Sequence, residues 1–159
     1  MDQPIRVLLI EDNPADARLI EVMLSESRGL QFLLAWAADL TAGVARLHTH
    51  QTDVVLLDLG LPESTGLDTL RRLLSSTPRS RHVPTLVVLS GLTDEEIAMQ
   101  ALQAGAQDYL VKGQVDSALL VRAIRYAIGR TRAEEALRLA HAEAQAAKVR
   151  AEDANRAKR

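Results

Sequence analysis

Five short apolar runs divide the first 129 residues into a repeating pattern: Ile5–Ile10, Phe32–Ala37, Val54–Leu57, Val83–Leu89 and Ala106–Val111. Most are dense in Val, Leu and Ile and show little polar alternation. A strand covered by helices on both faces needs such a run, whereas a half-exposed antiparallel strand alternates. Between the runs, apolar residues recur at helical spacing. In the first such stretch Ala17, Ile20, Met23 and Leu24 share one face. Asn13-Pro14 opens it, with Asn as the cap and Pro at the first helical position. Comparable stretches are Asp39–His50, Leu67–Ser75, Asp94–Gln103 and Asp116 onward. Strand and helix alternating in this way predict an α/β fold, an open parallel sheet with right-handed crossovers.

The residues that end the runs carry the chemistry. Glu11-Asp12 follow the first, Asp58 the third, Ser90 the fourth and Lys112 the fifth. Ligands of open α/β sheets bind beyond the carboxyl ends of the strands. Three carboxylates, a hydroxyl and an ammonium are therefore expected on one edge. The second run ends in no such group, as suits an edge strand.

Crowded carboxylates raise one another's pKa unless a cation joins them. Hard oxygen donors without neighbouring His or Cys favour Mg²⁺. Lys112, expected on the opposite side of the edge, would complete a cradle for an incoming dianion. An Asp carboxylate can act as a nucleophile toward phosphorus, forming an aspartyl phosphate. Such transfer needs mostly positioning and charge neutralisation. Asp58 is the best nucleophile candidate. It joins an apolar strand to the Leu59-Gly60-Leu61-Pro62 loop.

Four segments in register, Ile10-Glu11-Asp12-Asn13, Val54 to Pro62 followed by Gly66, Leu89-Ser90-Gly91, and Tyr109-Leu110-Val111-Lys112, resemble the receiver domain of two-component response regulators. The resemblance runs from about Ile5 to Ile128. It implies a flavodoxin-like, doubly wound five-stranded parallel sheet in the order 2-1-3-4-5. It implies that Asp58 accepts phosphate from a histidine kinase or a histidine phosphotransfer protein. Asp12, Asp58 and the Gly60 carbonyl would then ligate Mg²⁺ directly, with Glu11 acting through water. Lys112, Ser90 and the amides of Gly60 and Gly91 would hold the phosphoryl oxygens, and Ser90 with Tyr109 would form the switch pair. Three positions depart from the family's usual pattern. Gly113 stands where a proline, joined by a cis peptide, often follows the lysine. Gly60 offers no side chain at a position that often tunes dephosphorylation. Glu11 replaces an Asp.

Composition marks a boundary. Residues 1–129 hold 11 basic and 16 acidic side chains, a net of −5, and residues 130–159 hold 8 and 5, a net of +3. Beyond Gly129 there is neither Gly nor Pro, and ten of the residues from Ala133 to Ala157 are alanine. The expected organisation is a receiver domain over 1–129 and a helical extension over 130–159 that continues the fifth helix. Ala133, Leu137, Ala140, Ala144, Ala147, Ala151 and Ala154 follow alternating spacings of four and three, a heptad seam suited to a homodimer. An Ala-rich spacer helix is the simpler reading of the same residues. Glu134 and Arg138 are placed to pair at i,i+4. Residues 151–159 resemble the segment that precedes the phospho-accepting helix of many histidine kinases. That predicts a front piece of a longer regulator, with a kinase, a diguanylate cyclase or another output beyond it.

No cysteine is present, which excludes disulfides, thiolate zinc sites and thiol catalysis. No apolar run reaches a membrane span, and the start of the chain lacks a signal-peptide pattern; a cytoplasmic location is the expectation. No nucleotide-binding glycine motif occurs. The basic tail lacks a recognition-helix pattern, so no direct nucleic-acid contact is expected. His48, His50, His82 and His141 show no ligand spacing, and Phe32 and Trp36 read as packing. The functional expectation is a non-enzymatic phosphorylation switch. One alternative is a constitutive dimerisation or docking module with a vestigial acidic edge. Another is an acid-phosphatase-like enzyme, although the second Asp such enzymes carry two residues after the nucleophile is missing here.

Overall fold

A computed structural model describes residues 3–64, 66–77, 84–91 and 94–158; Val83 of the fourth apolar run, His82 and Arg159 lie outside the described residues. The chain alternates β1 (Ile5–Ile10), α1 (Pro14–Ser25), β2 (Phe32–Ala37), α2 (Leu40–Thr49), β3 (Val54–Leu57), α3 (Leu67–Ser76), β4 (Thr85–Ser90), α4 (Glu95–Ala104), β5 (Asp108–Val111) and α5 (Ser117–Ala157). All strand pairs are parallel, in the order β2-β1-β3-β4-β5. This is the flavodoxin-like order that the resemblance implied.

The unbroken apolar strands explain the layering. Val7, Leu9, Val54, Leu56, Val87 and Leu89 face one side and pack against Ala17, Ile20 and Leu24 of α1 and Leu120, Ile124 and Ala127 of α5. Leu8, Ile10, Val55, Leu57 and Val88 face the other side, against Leu47 of α2, Leu70 and Leu73 of α3 and Ala101 of α4. Each of these buried Val, Leu and Ile side chains stabilises the fold by roughly 1.5–3 kcal/mol relative to exposure. All four residues of β3 are fully buried, so the strand that leads to Asp58 is anchored on both faces.

Helix starts follow their caps. Asn13 accepts from the amides of Ala15 and Asp16, with Pro14 at the first position of α1. Asp39 accepts from Ala42 N at α2, and Asp94 from Glu96 N and Ile97 N at α4. Two strands begin later than the apolar runs suggest. The fourth runs from Thr85 to Ser90, so Ser90 is its last residue. The fifth begins at Asp108 because Gly105, at φ +125°, ends α4 and the Ala106 amide turns back to the Ala101 carbonyl. Ala106 is buried as the residue closing that turn.

The chain divides into two compact units, residues 1–128 and 129–159. The first contains the sheet and the buried part of α5. The second is helical to Ala157, and its heptad positions from Ala133 to Ala154 are all exposed. Arg138 pairs there with Glu135 at 2.6 Å, one residue nearer than the expected Glu134. Among the described residues no helix is long and apolar enough to cross a membrane.

Candidate functional site

Strand register builds the site. Ile10 lies opposite both Ala37 and Leu57, and Ser90 lies opposite Val111. The residues that follow therefore leave the sheet side by side. The Glu11 amide donates to the Ala37 carbonyl and the Asp58 amide to the Ile10 carbonyl, each at 3.0 Å. The strand order reverses between β1 and β3, so Glu11 and Asp58 stand at the point where such sheets bind ligands. An open cleft of about 540 Å³ is lined there by Glu11, Asp12, Asp58, Gly60, Ser90 and Lys112, among others.

The carboxylates differ in setting. Glu11 and Asp58 are 1% and 5% exposed, whereas Asp12 is exposed. One oxygen from each of the three lies within 4.8 Å of the others. Lys112, at the end of β5, reaches across the cleft to them. Its Nζ lies 2.6 Å from Glu11 Oε2, 3.0 Å from Asp16 Oδ2 and 3.3 Å from Asp58 Oδ2. Buried carboxylates draw the flexible Lys112 ammonium inward. Burial opposes the charge on Lys112, but its hydrogen bonds to Glu11 and Asp16, with the field of Asp58, outweigh that and hold its pKa above the usual lysine value. Burial pushes Glu11 up to about 7, helped by the Asp58 charge and opposed by Lys112 and the Asn13 amide.

The Asp58 carboxylate is held from two sides. Its Oδ1 accepts from the Gly60 amide at 3.0 Å while Oδ2 meets Lys112. The amide expected to hold a phosphoryl oxygen thus holds the acceptor itself in this structure. A Cβ on Gly60 would sit 3.6 Å from Asp58 Oδ1, so a side chain at that position would stand beside the carboxylate. Gly66, at φ +58°, lets the loop return, and its amide donates to the Leu59 carbonyl at 3.0 Å.

Most of the expected site residues meet in this cleft. Ser90 is almost fully buried at the end of β4, and Gly91 is exposed beside it. Tyr109 does not line the cleft. It is half-buried against the cluster of α2, α3 and α4. Lys112–Gln114 form a single 3₁₀ turn, and no described peptide bond is cis.

Two residues escaped the sequence reading. Asp16, in the first turn of α1, shares Lys112 with the cleft. Trp36 is half exposed on the edge strand, and its indole N–H donates to the Glu11 carbonyl at 2.7 Å. No sequence signal marks that contact, which joins residues 25 apart. Phe32 packs against the core as expected. His48 contacts the Ser76 carbonyl and His50 the Thr49 hydroxyl, both away from the cleft.

The donor set fits Mg²⁺. Carboxylate oxygens from Glu11, Asp12 and Asp58 converge, no His or Cys joins them among the described residues, and Asp12 is open to water.

The family model described as the response regulator receiver domain matches residues 7–125. The transcriptional regulatory protein KdpE of Mycobacterium tuberculosis is 40% identical over 107 residues, covering 67% of this chain and 43% of that protein. The cell cycle transcriptional regulator CtrA of Caulobacter vibrioides is 37% identical over 110 residues, covering 68% of this chain and 44% of that protein. The chain thus spans less than half the length of these relatives. Among solved structures, a response regulator receiver domain protein from Clostridium thermocellum matches with a TM-score of 0.65 and 29% identity, over 80% of this chain and 97% of that one. A CheY-like receiver domain protein from Methanospirillum hungatei shares the fold with a TM-score of 0.67 at 22% identity, over 83% of this chain and 99% of that one. With three quarters of its length matched and the same sheet order, this chain belongs to the response regulator receiver domain family.

Proposed function

We propose that residues 1–129 act as a phosphorylation-dependent switch whose acceptor is Asp58, and that residues 130–159 carry its state to an output domain. The observation that supports this best is the placement of Asp58. It is buried, oriented by the Gly60 amide, and open to the same cleft as Lys112, Ser90 and two further carboxylates. Surface acids are rarely so held, and a buried one without a task is costly.

The phosphodonor is a phosphohistidine of a histidine kinase or phosphotransfer protein. An Asp58 oxygen attacks the phosphorus, the P–O bond forms, the P–N bond breaks, and the imidazole leaves. Asp12, Asp58 and the Gly60 carbonyl would hold Mg²⁺ directly and Glu11 through water. When bound, the ion supplies positive charge for the phosphoryl oxygens and relieves the carboxylates. Lys112 turns from Glu11 and Asp16 to a phosphoryl oxygen, so its charge follows the charge that arrives. The Ser90 hydroxyl and the Gly60 and Gly91 amides donate to the remaining oxygens. Movement of Ser90 draws Tyr109 inward, which biases the face of α4, β5 and α5. The helix of residues 130–159 then changes its pairing with a second copy of the chain. The domain is not itself an enzyme, and it works in the cytoplasm.

The competing reading is a constitutive docking module with an inert acidic edge. Mg²⁺ titration followed by Trp36 fluorescence separates the two. The switch requires a saturable, Mg²⁺-dependent change that Asp12→Asn abolishes. A flat titration in the parent favours the docking module.

A further inference from the structure

A second cleft, of about 660 Å³, lies where the chain leaves α1 beside the first turns of α5. Arg28 lines one wall, and Arg122, Arg125 and Tyr126 line the other above Val121. Residues 122, 125 and 126 share a helix face by their spacing. The cleft is at the far end of α1 from the acidic site, roughly 18 Å along a 12-residue helix.

Three features make this cleft unusual. Residues 1–129 carry a net charge of −5, yet three arginines line this cleft beside the single carboxylate of Glu26. Elsewhere in the sheet unit Arg6 pairs with Asp53, Arg18 with Glu21 and Arg72 with Asp68, while Arg46 and Arg71 form no described ion pair but do not line this cleft. Arg28, Arg122 and Arg125 form no ion pair among the described residues, and Glu26 does not pair with them. Tyr126, 66% exposed, presents its ring on the rim.

Like charges gathered without partners raise the local potential and favour an anionic ligand. Arg forks match carboxylates bidentately. Arg and Tyr are also the side chains that most often dominate protein interfaces. The volume suits a few residues of chain. A nucleic-acid duplex needs an extended basic track, whereas the lining here offers three arginines around one compact cleft. We infer that this cleft is a docking site for a short acidic segment of a partner protein. Two carboxylates would pair with Arg122 and Arg125, a third with Arg28, and an apolar residue would rest on Val121 and Tyr126. The site is independent of the phosphoacceptor.

The test uses the full chain, ¹⁵N-labelled and titrated with a capped octapeptide of alternating Glu and Leu, beside the same peptide with Gln for Glu. The inference requires amide shifts at residues 27–28 and 118–126 with the Glu peptide and none with the Gln peptide. The paired substitution Arg122→Glu and Arg125→Glu should weaken binding by about tenfold or more, as for residues central to an interface. Acetyl phosphate labelling of Asp58 should be unchanged in that variant. Should the reversal unfold the chain by circular dichroism, Arg28→Ala on the connecting segment gives the same reading. The inference is overturned by shifts confined to the basic residues 130–158, by no shifts at all, or by binding that survives the reversal. It is also overturned if a short DNA duplex shifts the cleft residues at lower concentration than the Glu peptide.

Discussion

Lys112 illustrates how far residue type predicts chemistry and where it stops. That an ammonium ends the fifth strand was legible, and so was its nearness to three acids. That it would bridge Glu11, Asp16 and Asp58 was not, because side-chain reach depends on which counter-charges are buried. Glu11 gives a pH prediction. Its pKa is raised from 4.5 to about 7 by burial, so the folded chain binds this proton more tightly than the unfolded one. The stabilisation from that proton is full below pH 4.5 and is lost as pH rises through 7. In chelator-treated protein the melting temperature should fall between about pH 4.5 and 7, and the slope should flatten in Glu11→Gln. Equal slopes would contradict the burial account. Trp36→Phe keeps the ring and removes the N–H that holds the Glu11 carbonyl. One lost hydrogen bond of about 0.5–1.5 kcal/mol should weaken Mg²⁺ binding about two- to tenfold by calorimetry. Unchanged affinity would mean that the indole only packs.

At the scale of elements, the sequence was readable wherever one physical rule dominated. β1 and β3 begin and end where their apolar runs do, because strands buried on both faces admit few polar residues, and the edge strand β2 matches its run as well. Asn13, Asp39 and Asp94 cap helices as their types suggest. Reading failed where backbone conformation intervened. Gly105 inserts a helix-ending turn ahead of β5, which periodicity alone cannot separate from an apolar strand. Gly66, ahead of a helix that begins at Leu67 as expected, also takes a conformation special to glycine, at φ +58° and ψ −135° with open space around it. Gly66→Ala therefore meets strain and no clash. It should destabilise the fold by about 1–3 kcal/mol in urea unfolding. A loss below about 0.3 kcal/mol would show that the loop relaxes freely.

At the scale of the whole chain, the compositional break near residue 129 coincides with the division into two units. The function of the second unit is a proposal that rests on its heptads. Alanine contributes one methyl per layer, about 0.8 kcal/mol or less, so pairing should be weak and easily biased. Single-cysteine chains, Ala140→Cys and Ala147→Cys, should cross-link as homodimers, and the yield should change on treatment with acetyl phosphate and Mg²⁺. Unchanged yields at both positions would exclude signalling through helix pairing. All of this depends on one chemical event at Asp58. The most direct measurement is the intact mass of the protein after incubation with acetyl phosphate and Mg²⁺, with Asp58→Asn treated alongside. One added phosphoryl group in the parent, absent from the variant and absent without Mg²⁺, is the predicted result. An unmodified parent, or an adduct that persists in Asp58→Asn, would contradict the switch.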